Sequence, residues 1–251
     1  MTVDEARERL RRLGLGEDAV AVLLAHFEDA DRRGKTGHGL ARVAWLETQA
    51  FDPDARPRRL EASQAFERWD GAGALGYLTL DAVVRGVLAA PPKRARVVVA
   101  ERCFPTGVLG FWARRLAEGG LVAVLTATSP RRLPHPEGGP ALTGTNPLAL
   151  AVPASEGPPF VADVSMGAVT HGDVLAGRAR PEELVPFGGA HAHKAFALAA
   201  GLELLVGALA GPEPGAVLVV ARPAHDPVPA FRALAAGRRL PGDPPTEGGP
   251  P

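Results

Sequence analysis

Asn146 is the only asparagine among 251 residues, and it stands in the turn Gly144-Thr145-Asn146-Pro147. A chain that otherwise avoids this residue keeps it where its amide can bond neighbouring backbone and where an unusual φ is tolerated. The apolar run that follows, Leu148-Ala149-Leu150-Ala151-Val152, is closed by Pro153 and reads as a buried strand. A glycine-led turn feeding a core strand can present backbone N–H groups to an anionic ligand. The alternative is an ordinary tight turn.

Around this point the chain alternates between helical and strand-like stretches. Residues 3–13 and 17–33 read as two helices separated by Gly14 and Gly16, with Val20, Leu23, Leu24 and Phe27 on one face of the second. Strands are expected at 96–100, 121–127, 160–164 and 216–221. Helices are expected at 79–90 with Thr79 as N-cap, at 107–118, at 165–175 with Ser165 near its cap, from the Pro186-Phe187-Gly188-Gly189 segment through Leu209, and at 229–240. The strand–helix–strand spacing of 96–127 suggests a parallel pair, and the proline-rich stretch 129–143 a loop. Three units result: an N-terminal helical region with a histidine loop over 1–65, an α/β domain over 66–240, and a disordered tail over 241–251.

Charge and cysteine usage exclude several function classes. Lysine plus arginine balances aspartate plus glutamate at 28 each, so no global field points to nucleic acid or an anionic membrane. Cys103 is the only cysteine, which rules out an internal disulfide and fits a reducing cytosol; a buried structural thiol is expected there. The first twelve residues are too charged for a secretory signal, and no apolar run is expected to reach the ~18 residues that span a bilayer. A cytoplasmic protein is therefore expected. Two Gln, one Asn and abundant arginine lean towards a thermophile.

Candidate site residues gather in loops. His38 lies between Gly37 and Gly39 and reads as an exposed loop histidine, with Arg42 four residues on. If a short helix starts after Gly39, the two line one pocket, where an imidazole carries a proton and a guanidinium clamps a carboxylate. The alternative is a solvated helix cap. His193 and Lys194 sit at the start of a long apolar helix, an end that suits a phosphate or carboxylate. His191 and His193 alone are too few ligands for a metal, so no metal is expected. The literal G-x-G-x-x-G of Gly71-Ala72-Gly73-Ala74-Leu75-Gly76 is set aside as a dinucleotide fingerprint, because residues 64–70 do not read as a strand and no acidic residue follows at the right distance.

In order, these motifs resemble the type-2 malate/L-lactate dehydrogenase family, which includes sulfolactate, ureidoglycolate and diketogulonate relatives and an imine reductase. Its S-H-G-x-x-R loop is similar to Gly37-His38-Gly39-Leu40-Ala41-Arg42, and its D-G-x-x-x-x-G turn to Asp70 through Gly76. The G-T-N-P turn is matched at Gly144-Thr145-Asn146-Pro147. The D-M-A-T-S segment corresponds to Asp163-Val164-Ser165-Met166-Gly167, the P-x-G-G-H-K-G-Y-G helix start to residues 186–197, and L-P-G-E to Leu240-Pro241-Gly242-Asp243.

The resemblance implies an α/β, non-Rossmann, L-sulfolactate dehydrogenase-like fold with a mixed, mostly antiparallel sheet flanked by helices, and a homodimer without nucleic-acid or membrane partners. It implies NAD or NADP and hydride transfer at C2 of a small 2-oxo or 2-hydroxy acid. His38 would be the catalytic proton donor or acceptor and Arg42 would bind substrate. Gly144, Thr145, Asn146, Pro147, Asp163, Ser165, His193 and Lys194 would bind the cofactor. The chain departs from the pattern at Gly37, where the family has serine, and at Pro105-Thr106-Gly107, where it has H-F-G. These departures motivate an alternative, a non-catalytic nucleotide-binding or structural dimeric relative.

Overall fold

The helices and strands are set by where apolar faces find partners, and in the computed structural model, which describes residues 1–244, they do so around one sheet. Helix α1 (Val3–Arg12) starts at a capping box in which Thr2 and Glu5 bond each other's backbone N–H. Helix α2 (Glu17–Arg32) buries Val20, Leu23, Leu24 and Phe27, the expected face. A single turn of 3₁₀ helix (Thr36–His38) leads into the short α3 (Arg42–Leu46).

The sheet contains β1 (Arg58–Ala62), β2 (Phe66–Asp70), β3 (Ala95–Glu101), β4 (Val122–Ala127), β7 (Leu148–Val152), β8 (Phe160–Val164) and β9 (Ala216–Ala221). Its spatial order is β1-β2-β3-β9-β4-β7-β8, and only β2 and β3 are parallel. The mixed, mostly antiparallel sheet with flanking helices is therefore as expected. Helices α4 (Gly76–Ala89) and α5 (Leu109–Glu118) join α1 and α2 on one face. There Leu10, Leu23, Val83, Trp112, Ala123 and Val220 belong to a continuous core. The division expected at residue 65 falls between β1 and β2, which form a hairpin, and this core runs through both parts.

Several sequence readings need correction. Residues 66–70 are a strand, although they read as none. Their charges are paired across neighbouring strands: Glu67, buried, accepts from Arg96 at 2.6 Å and from the Trp69 indole at 2.9 Å, and Arg68 pairs with Glu101. The G-x-G-x-x-G turn thus does follow a strand and open a helix. The backbone of Arg102 and Phe104 occupies the space beside Gly71 and Gly76, where any Cβ would overlap it. Helix α4 starts at Gly76, so Thr79 is buried inside it rather than capping it.

Strands β3 and β4 do not pair, because β9 inserts between them antiparallel to both. Residues 129–143 hold a hairpin of β5 (Leu133–His135) and β6 (Gly138–Thr143), a separate two-stranded ribbon where Pro134 is tolerated. Within 165–175 only α6 (His171–Leu175) is helical, capped by Thr170 and Asp173 rather than by Ser165. Helix α8 (Val228–Ala235) ends well before residue 240. The start of the expected tail is tied down: Val161 donates to the Pro241 carbonyl at 3.1 Å, and Arg232 pairs with Asp243 at 2.7 Å. Residues 245–251 lie outside the described part.

The second face of the sheet carries α7 (Ala192–Ala210), whose Val206 and Ala210 pack on Val99 and Val217. Within the 22 residues Gly189–Ala210 a window of 18 has a mean hydropathy of 1.4, so by length and composition this helix is long and apolar enough to cross a membrane, contrary to the expectation that no run was. Helix α7 covers only part of its face. Val219, Val124 and Leu150 form a lateral row across β9, β4 and β7 and remain exposed, as do Leu198, Leu204 and Leu205 of the helix.

Candidate active site

A cleft of about 600 Å³ opens where the C-terminal ends of β4 and β8 meet the N-terminal loop. It is lined by Lys35 to His38 and Arg42 on one side and by Thr128, Ser129, Thr145, Pro147 and Ser165 among the strand ends. Residues 104–108, Arg132 and the start of α6 close it. The two sequence motifs most distant in purpose, the histidine loop and the asparagine turn, thus face one space.

His38 is not the exposed histidine expected of its glycine neighbours. Gly37 packs so closely on Gly172 and Arg178 that a Cβ on either glycine would collide. Asp31 accepts the Leu40 N–H at 2.9 Å in the space a Cβ on Gly39 would need. The glycines allow close packing, not freedom. The His38 ring lines the cleft with Nδ1 buried and without a partner. Burial, then the nearby Arg42 charge, lowers its pKa to about 4, partly opposed by Asp163 and Asp173.

Arg42 opens α3, as the short-helix expectation required, and is 8% exposed. Its guanidinium lies 3.7 Å above the Trp45 ring, with Nε and Nη1 unpartnered. Behind it, His26 is fully buried and accepts the Val108 N–H at 2.9 Å through Nε2; burial drives its pKa to about 3.

The asparagine turn divides its labour. Thr145 and Pro147 line the cleft; Gly144 and Asn146 do not. Asn146 is completely buried at φ +31°, and its amide donates to the Ala199 carbonyl at 3.0 Å and to Glu203 at 2.7 Å. Asp163 lines the cleft with its carboxylate engaged, accepting from Lys35 at 2.9 Å and from the Gly110 N–H at 3.0 Å. His193 and Lys194 stand exposed on the first turn of α7, outside the cleft, and the His191 and His193 rings are 6.1 Å apart.

Sequence reasoning missed His171, Arg132 and Lys35. His171 lies on the cleft with Nδ1 buried and unpartnered, its pKa lowered to about 4 by burial and then by Arg132 and Arg42. Like His38 it precedes a glycine, a signal readable in His171-Gly172. Arg132 was hidden inside the stretch taken for a loop. Cys103 is buried, as expected, and burial raises its thiol to about 12.

The charge balance decides what the cleft can take. Asp163 is paired with Lys35, and Asp173 with Arg178 at 2.8 Å. Among the described residues neither Arg42 nor Arg132 has an ion-pair partner, and burial lowers the pKa of both. Two desolvated cations and two neutral imidazoles around one space favour a small anion with a hydrogen-bonding group beside it.

The family model described as malate/L-lactate dehydrogenase matches residues 3–184. A Δ1-pyrroline-2-carboxylate/Δ1-piperideine-2-carboxylate reductase from Pseudomonas putida is 33% identical over 227 residues, covering 77% of this chain and 65% of that protein. A (2R)-3-sulfolactate dehydrogenase (NADP⁺) from Chromohalobacter salexigens is 31% identical over 183 residues, covering 70% of this chain and 54% of that one. The chain thus spans less than two thirds of the length of either. Among solved structures, Δ1-piperideine-2-carboxylate reductase from Pseudomonas syringae superposes with a TM-score of 0.82 at 25% identity, over 96% of this chain and 89% of that one.

Proposed function

Because the chain belongs to the malate/L-lactate dehydrogenase family, we propose that it is an oxidoreductase exchanging a hydride between NAD or NADP and C2 of a small 2-oxo acid or its imine counterpart. The observation that carries this reading is the convergence of His38, uncompensated Arg42 and the 144–147 turn on one cleft.

The residues present fit a nicotinamide cofactor. Arg42, His38 and His171, each with a buried polar atom that has no partner, line one cleft with the hydroxyl-bearing residues Thr128, Ser129, Thr145 and Ser165. Thr145, Pro147 and Ser165 would hold the nicotinamide end, with Gly144, Asn146 and Asp163 supporting them. His193 and Lys194, at a helix N-terminus outside the cleft, would meet the phosphates. When bound, the cofactor supplies or accepts the hydride.

Arg42 grips the substrate carboxylate with the donors left unpaired, and Arg132 and His171 bound the far side. His38 handles the proton at the oxygen or nitrogen on C2. Neutral above pH ~4, it is poised as an acceptor in the oxidising direction. Reduction needs its protonated form, so its rate should climb as pH falls towards that value. Neutralisation of Arg42 by a bound carboxylate favours the same protonation.

The purified protein, mixed with NADPH or NADH and a panel of 2-oxo acids and cyclic imino acids, should consume the reduced cofactor with at least one of them. No turnover beside an active relative would sink the proposal. The replacement of H-F-G by Pro105-Thr106-Gly107 in the cleft wall favours the second reading, a relative that binds nucleotide without turnover. A thermal shift with either cofactor but no turnover selects it.

A cytoplasmic homodimer completes the proposal, and residue usage supports a thermophilic source. The dimer is supported by the apolar row Val219, Val124 and Leu150 and by the uncovered side of α7. Light scattering should give twice the 26.1 kDa chain mass, and a monomer would remove this part.

A further inference from the structure

Helix α7 is apolar on nearly every side, and Glu203 is the one acidic residue within it. An acid there invites the question of what it does. Its Oε2 accepts from the Asn146 amide at 2.7 Å and from the Gly144 N–H at 3.2 Å. One carboxylate oxygen therefore holds both the first N–H of the turn and the side chain of its strained residue. The remaining holds come from strand ends: the Thr145 N–H donates to the Ser129 hydroxyl at 3.3 Å, the Met166 N–H to the Thr145 carbonyl at 2.9 Å, and the Thr126 hydroxyl to the Pro147 carbonyl at 2.9 Å.

We infer that Glu203 is a positioning residue, setting the 144–147 turn so that Thr145 and Pro147 meet the ligand and coupling α7 to the cleft. Ser129 and Thr126 reach the turn from beside the sheet ends, whereas Glu203 reaches it from α7. The same helix donates a backbone acceptor, Ala199, to the other hydrogen of the Asn146 amide. Asn146 at φ +31° sits where a non-glycine residue is strained unless its surroundings fix it. The α7 contacts supply that fixing. What the turn requires is an acceptor oxygen at this place, so glutamine suffices and an apolar side chain does not.

That the ligand is a nicotinamide dinucleotide rests on the proposed function; the hold on the turn does not. The test compares the wild-type protein with Glu203→Leu and Glu203→Gln. In Glu203→Leu the Gly144 amide should exchange its hydrogen about 10-fold faster or more, while Ala149 and Ala151 in β7 stay as in the wild type. NADPH or NADH, titrated by fluorescence, should bind Glu203→Leu about 10-fold more weakly and Glu203→Gln within about 3-fold of wild type.

Unchanged Gly144 exchange in Glu203→Leu overturns the inference, as does a Glu203→Gln variant no better than Glu203→Leu. Unchanged cofactor affinity despite faster exchange overturns the positioning role. If the wild-type protein binds neither nucleotide, the functional reading falls, and the exchange of Gly144 alone decides whether Glu203 holds the turn.

Discussion

The two walls of the cleft are built on opposite principles. The histidine-loop wall leaves His38 Nδ1 and Arg42 Nε and Nη1 buried without partners. The asparagine-turn wall spends its donors on itself: the Gly144 N–H, the Thr145 N–H and the Asn146 amide nitrogen each donate to a neighbour and the Pro147 carbonyl accepts from Thr126, while the Asn146 Oδ1 acceptor is left buried without a partner. Unpaired buried donors cost free energy in the unliganded protein and are recovered only when something binds. Satisfied groups fix a shape. Under the proposed function, the first wall is therefore where chemistry on a ligand belongs, and the second is where stability resides.

Substituting one residue from each wall tests that contrast most severely. His38→Ala should lower kcat/KM by about 10²–10⁴-fold while leaving the melting temperature close to wild type and cofactor affinity intact. Asn146→Ala should instead cost about 2–4 kcal/mol of stability, because it removes two hydrogen bonds and leaves Glu203 with the Gly144 N–H as its donor in the turn. Denaturant unfolding alongside steady-state kinetics reads both. If the two variants show the same balance of lost activity and lost stability, the division between the walls is wrong.

The same contrast explains how much could be read from the sequence. The turn was legible because a single Asn in a Gly-x-Asn-Pro setting is a local signal, and its positive φ is a local property. His38 and Arg42 were legible as a pair, but the burial of His38 was not, since Gly172 and Arg178 approach from more than a hundred residues away. Strand β2 was missed because Glu67, Arg68 and Asp70 break any apolar pattern, and only their cross-strand partners make them strand residues. The parallel β3–β4 pair failed for a similar reason. Nothing in residues 95–127 announces that β9 will insert between them. His171 and Arg132 carried signals too weak without the cleft that collects them.

A smaller effect sharpens the comparison through pH. His38, with a folded pKa of about 4 against 6.5 for the free side chain, is neutral in both folded and unfolded chains above pH ~6.5 and contributes nothing there. Between 6.5 and 4 the unfolded chain takes up the proton first, so stability falls as pH falls through this window and levels off below it. By pH 5 the loss amounts to about 2 kcal/mol for this residue, and His26, at about 3, adds a similar amount. The carboxylate of Asp70, held near 2 by its hydrogen bonds to Arg102, gives up its contribution only at lower pH, so it does not blur the window. His38→Asn should therefore lose about 2 kcal/mol less than wild type between pH 7 and pH 5 when unfolding is followed in urea. Asn146→Ala should run parallel to wild type, displaced but equally steep, since the substitution leaves His38 and His26 in place and none of residues 144–147 has an ionisable side chain. A His38→Asn curve as steep as wild type would mean that this imidazole takes up its proton in the folded cleft as readily as in the unfolded chain, and the histidine-loop wall would then bear no cost for a ligand to relieve.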